Sequence, residues 1–201
     1  MTRVVKIILP LFFLFLSSCY FVFEHPLPFD KSLSTDPALI GGWIEDTKRM
    51  DNHRMIRISS REGGWMSVTE WDPQKVTNNI VVWQTNRYWA YTAAVKESKI
   101  LMIHPAGKDW SFPDGENYTM ALYNVDSGGS LTYRLISNSA IAECIRDGGL
   151  KGEITEEGDE YTEDECVVHA TGPELQAFFS ASGKSPSEYF ESSVYFYHKA
   201  D

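Results

Sequence analysis

Cysteine is scarce in this chain and basic charge is in deficit, and each shortage removes a class of function. Three cysteines stand among 201 residues, at positions 19, 144 and 166. They form no CxxC pair and fall in no His/Cys cluster at metal-ligand spacing, which argues against a zinc site. Lys and Arg number 18 against 28 Asp and Glu, for a net charge of −10. Nucleic acid needs a basic face for its phosphates, so it is not an expected partner. The same balance argues against lying flat on anionic lipid through charge alone. Catalytic signatures are missing too. There is no Gly-x-Ser-x-Gly elbow. Gly183-Lys184-Ser185 lacks the earlier glycine of a phosphate loop, because Phe178 holds that place. No pair of carboxylates stands out as acid and base on strand ends. No cofactor is implied.

Long apolar runs are confined to one place. The chain opens MTRVVK, continues IILPLFFLFL and then reads SSC. Arg3 and Lys6 precede an apolar block too short to stay in a bilayer as a spanning helix, the layout of an export signal. Leu16-Ser17-Ser18-Cys19 resembles the lipobox of bacterial lipoproteins. The resemblance implies a signal peptide over residues 1–18, cleavage before Cys19 and fatty acylation of that cysteine. The membrane then becomes a partner through the N-terminal lipid, in the cell envelope. Tyr20 stands where inner-membrane retention would place Asp, which points to the outer membrane, facing the periplasm. With Cys19 assigned to lipid, Cys144 and Cys166 remain. In an oxidising compartment they can pair, and closing a loop of about 22 residues would stabilise by roughly 3 kcal/mol. The alternative is two separate buried thiols.

Residues 19–37 carry Pro26, Pro28 and Pro37 with several serines, and read as a lipidated N-terminus and tether. Their aromatic start can instead pack at the membrane interface or on the domain. A single domain, rich in β-structure, is expected over 38–201. Strand-like alternation runs through residues 40–46, 55–59, 65–71, 80–85, 88–95, 100–104, 118–125 and 131–136, separated by turn residues. Eight such runs suggest an antiparallel meander, and closing it into a barrel or a strongly curled sheet removes exposed edges. The last third changes character. Residues 138–146 have helical spacing, and two strands at 151–155 and 166–170 flank an acidic loop. Thr171-Gly172-Pro173-Glu174 and Ser185-Pro186-Ser187-Glu188 each read as a capping box opening a short helix. Residues 193–198 close the chain as a strand.

Gly41-Gly42-Trp43 resembles the Gly-x-Trp opening of the lipocalin family, although that family's Thr-Asp-Tyr and late arginine have no clear match here. The resemblance implies a barrel whose floor is plugged by Trp43 and whose interior holds a small apolar molecule. Trp43, Trp65, Trp89 and Tyr91 are the aromatic residues expected to touch such a ligand. The acidic run from Glu156 to Glu165 lacks the spacing of a calcium loop and reads as a solvated hairpin tip, and no metal site is expected. His104, with Asp109 and Asp114 nearby, is the one polar loop cluster a hydrolase could use. Binding without catalysis is therefore the leading expectation, with either a small apolar ligand or an envelope protein as the partner.

Overall fold

A computed structural model describes residues 21–30, 35–46, 53–73, 81–107, 110, 117–155 and 165–200. Period-two alternation dominates it. In β3 (Met55–Ser60), Ile56 and Ile58 are buried and Arg57 between them is exposed. β4 (Met66–Pro73) buries Met66 and Val68 on the same side of the sheet. Successive Cβ atoms point to opposite faces of a strand, so such a pattern commits one face to an interior.

Eight strands share that interior. β2 (Gly41–Glu45), β3, β4, β5 (Trp83–Val95), β6 (Ser98–Pro105), β7 (Thr119–Val125) and β8 (Ser130–Leu135) follow one another as an antiparallel meander. The chain's last strand, β11 (Tyr195–Lys199), then pairs with both β8 and β2 and closes the barrel. Two details differ from the sequence reading. The runs at 80–85 and 88–95 belong to one strand from Trp83 onward. Asn86 and Arg87, read as a break, pair in register with Glu70 and Thr69, and the Asn86 side chain bonds Glu70 at 3.1 Å. The eighth barrel strand is therefore the C-terminal one, which lies far away in sequence.

A second layer covers one side of the barrel. β1 (Phe21–Phe23) pairs in parallel with β10 (Glu165–Val168), which pairs antiparallel with β9 (Gly152–Thr155). Helix α1 (Asn138–Arg146) packs on this small sheet and helix α2 (Gly172–Ala181) packs on β5. Ser137 caps α1 by accepting from Ala140 N–H at 3.4 Å. Glu174 accepts from Thr171 N–H at 2.8 Å and Glu188 from Ser185 N–H at 2.7 Å, the carboxylate half of each expected capping box. Among the described residues no helix is long and apolar enough to cross a membrane.

Part of the stretch read as a tether packs on the domain, the alternative open to its aromatic start. Phe23 and Leu27 are buried, and the Tyr91 hydroxyl donates to the Leu27 carbonyl. The cause is the apolar outer face of β5, β6 and β7. Tyr91, Ala93, Val95, Ile100, Met102 and Met120 share a core with Phe23, Leu27, Leu175 and Phe179. The strands in the middle of the meander are thus apolar on both faces, one toward the barrel interior and one toward the second layer.

Candidate binding cavity

The floor of the barrel is assembled from its first residues. Asp36 caps the 3-10 turn Pro37–Leu39 by accepting from Ala38 N–H at 2.9 Å. The same carboxylate accepts from Lys99 Nζ at 2.7 Å and from the Tyr123 hydroxyl at 3.0 Å. Burial opposes its charge, but these hydrogen bonds outweigh burial and lower its pKa. The turn is thereby tied to β6 and β7, and Leu39 is held under the interior. Trp43 lies beside it, 1% exposed, with its indole N–H donating to the Leu39 carbonyl at 2.8 Å. Lys199 Nζ stands 5.8 Å from the Trp43 ring centroid. Gly41 has φ +146°, a backbone conformation that L side chains rarely adopt, so the first residue of β2 favours glycine.

Above this floor lies a cavity of about 530 Å³. Ile56, Ile58, Val68, Leu101, Ile103 and Leu131 give it an apolar wall from four strands. Tyr133 contributes an aromatic wall, stacked between Tyr195 at 4.8 Å and Tyr197 at 5.6 Å. Burial, more than any other cause, pushes the Tyr133 hydroxyl up to about 12, so it is protonated at neutral pH. Away from the floor the lining reaches Pro105 and Asn117, which are exposed, and Val22 from β1.

One polar group interrupts the apolar wall. Arg54 Nε stands 3.3 Å from Glu70 Oε1 and 3.3 Å from Asp72 Oδ1. Glu70 Oε2 accepts from Asn86 Nδ2 at 3.1 Å and from the Tyr88 hydroxyl at 3.3 Å. Burial works against the Arg54 charge. Attraction to Glu70, and then to Tyr197, Tyr133 and Asp72, outweighs it and raises the guanidinium pKa above its ordinary value. These residues were missed in the sequence, although the signal was there. Arg54 continues the inward parity of Ile56 and Ile58, Glu70 continues that of Met66 and Val68, and Ile56 and Glu70 face each other in register.

The four aromatics expected to touch a ligand do not line this cavity. Trp43 lies in the floor core. Trp65 stacks on Phe29 at 5.4 Å and meets Tyr91 edge-on at 5.1 Å, outside the barrel. Trp89 lies on the same outer face of β5 as Tyr91, with its ring 5.4 Å from that of Trp110. Their placement has a simple cause. The bulkier face of β5 packs against the second layer, and the face carrying Tyr88, Ala90 and Thr92 is the inward one. The cavity's aromatic residues are tyrosines: Tyr88, Tyr118, Tyr123, Tyr133 and Tyr195.

The remaining candidates fall elsewhere. Cys19 and the signal lie outside the described residues, as do Asp109, Asp114 and residues 156–164 of the acidic run. Cys144 on α1 and Cys166 on β10 are brought into one core, but no bond joins them in this structure. Burial raises the pKa of the Cys144 thiol. His104 is buried against Tyr118, ring centroids 4.6 Å apart, with Nδ1 2.7 Å from the Pro105 carbonyl. Among the described residues no group of three or more His, Cys, Asp or Glu side chains is placed to hold a metal ion. Comparison of the chain with protein-family models, with curated proteins and with solved structures gave no match.

Proposed function

We propose that the chain is a lipid-anchored protein of the bacterial envelope whose barrel binds one small, largely apolar molecule without transforming it. The observation that carries the reading is the 530 Å³ cavity, which falls within the size range of ligand sites and is walled by aliphatic and tyrosine side chains. A floor fixed by Asp36, Leu39 and Trp43 supports a preformed site. The lipobox-like run supports the anchor. Val22 lines the cavity and stands three residues after Cys19, a span of at most about 11 Å even when fully extended. A lipid on Cys19 would hold the cavity close to the bilayer, which supports a ligand drawn from the membrane.

The test uses the neutral dye N-phenyl-1-naphthylamine, whose fluorescence rises in apolar surroundings. The wild-type protein should bind it at a single site. Ala121→Trp places an indole in the cavity wall and should abolish binding while the far-ultraviolet circular dichroism stays that of the barrel. Undiminished binding in A121W would remove the cavity as the site. Metabolic labelling with tritiated palmitate tests the anchor: wild type should carry label and Cys19→Ala should not.

A further inference from the structure

This inference rests on the cavity being a binding site, and it concerns what the ligand carries besides an apolar chain. Arg54 and Glu70 are the two charged side chains in the described lining. They differ in what they have left to offer. Both Glu70 oxygens are engaged, one with Arg54 and the other with Asn86 and Tyr88. Arg54 contacts its two carboxylates through Nε. Its two terminal Nη groups, the fork with which a guanidinium recognises a planar acceptor, have no hydrogen-bond partner among the described residues. The cavity wall therefore presents hydrogen-bond donors.

The charge around that fork decides what it can take. One guanidinium already faces the carboxylates of Glu70 and Asp72, each at 3.3 Å, and Glu45 Oε2 lies 3.4 Å from the Arg54 backbone nitrogen. An anionic head on the fork would approach the Glu70 and Asp72 carboxylates, which already share the same guanidinium. A cationic head would face the Arg54 guanidinium itself, and three of the roughly four acceptor sites of Glu70 are already taken. An uncharged acceptor avoids both conflicts. We propose that the cavity selects a neutral amphiphile, with its chain between Ile56, Ile58, Leu101 and Leu131 and an ester or amide carbonyl, or a hydroxyl, on the Arg54 fork. At about 30 Å³ per small group, 530 Å³ accommodates about 18 non-hydrogen atoms. That is the size of a medium-chain monoacylglycerol.

The experiment compares four twelve-carbon probes on the full-length protein at about pH 8, where carboxylate and ammonium are both charged. Monododecanoylglycerol, dodecan-1-ol, dodecanoate and dodecylammonium each compete with N-phenyl-1-naphthylamine. The two neutral probes should bind about tenfold or more tighter than either ion, the worth of a hydrogen bond from a charged donor. Arg54→Lys keeps a positive charge opposite Glu70 but removes the fork, and the preference should shrink to roughly threefold or less. If R54K does not melt as a folded protein, R54M/E70M removes both charges together, and the two neutral probes should each bind about tenfold more weakly than to wild type. Tighter or equal binding of dodecanoate, a preference unchanged in R54K, or neutral-probe affinity unchanged in R54M/E70M, overturns the proposal. If the dye and all four probes bind alike, the cavity stands as a site and the head-group selection falls. If the dye and all four probes fail to bind, the cavity reading falls and takes this one with it.

Discussion

Removing the Trp43 ring tests whether the floor holds this barrel together. The side chain is 1% exposed, makes one buried hydrogen bond to Leu39 and lies under Lys199. An indole buries about 200 Å², worth about 5 kcal/mol at about 25 cal/mol per Å². Substitution data for buried Trp→Ala run at about 3–5 kcal/mol once partial collapse of the cavity is included. Of that, about 1 kcal/mol is the hydrogen bond, much of it from leaving the Leu39 carbonyl without its donor. Trp43→Ala should therefore cost about 4 kcal/mol, a large share of the 5–15 kcal/mol typical of a folded domain. Trp43→Phe keeps most of the apolar area and should cost about 1–2 kcal/mol. Urea unfolding followed by far-ultraviolet circular dichroism reads both. With a slope of about 2 kcal/mol per molar, the midpoint should fall by about 2 M in W43A and by less than about 1 M in W43F. Because Trp43 does not line the cavity, W43F should leave dye affinity close to that of wild type. A W43A midpoint within about 0.5 M of wild type would refute the floor. A large loss of dye binding in a stable W43F would return Trp43 to the list of ligand contacts.

Two further perturbations probe how the second layer is fastened. His169 Nδ1 lies 2.7 Å from Glu24 Oε2, and Nε2 lies 3.5 Å from Glu153 Oε1. The hydrogen bond to Glu24 chiefly raises the histidine pKa above 6.5. A raised folded-state pKa stabilises fully below the unfolded value, and the contribution is lost as pH rises through the folded one. The gap in unfolding midpoint between wild type and His169→Gln should therefore narrow from about pH 5.5 to about pH 8.5, and a constant gap would contradict the pairing. At Gly172 a Cβ would stand 2.4 Å from the Pro26 carbonyl oxygen, which belongs to the backbone and cannot swing aside. Gly172→Ala should cost about 1–3 kcal/mol through this overpacking, seen as a lowered melting temperature, and a neutral effect would mean that the segment around Pro26 is not seated on α2.

The sequence by itself determined the alternation of the strands, and alternation was enough for an antiparallel barrel. A strand with one buried face writes that face into its own residues, as Ile56 and Ile58 do in β3. It also determined the helix starts, because a capping carboxylate acts within four residues, as Glu174 does at Thr171. Only the tertiary structure decided which face is inside. In β5 both faces are apolar, since one lines the interior and the other meets α2 and the small sheet. Residue type therefore could not tell the Tyr88 face from the Trp89 face, and the larger aromatics proved to be on the outside. The closing partner was equally out of reach. β11 lies between β8 and β2 because the barrel leaves one gap there, and nothing local in Tyr195–Lys199 names those neighbours. The Arg54–Glu70 pair belongs to the same class, since two charges on adjacent strands become a site only when the register sets them side by side over an apolar cavity.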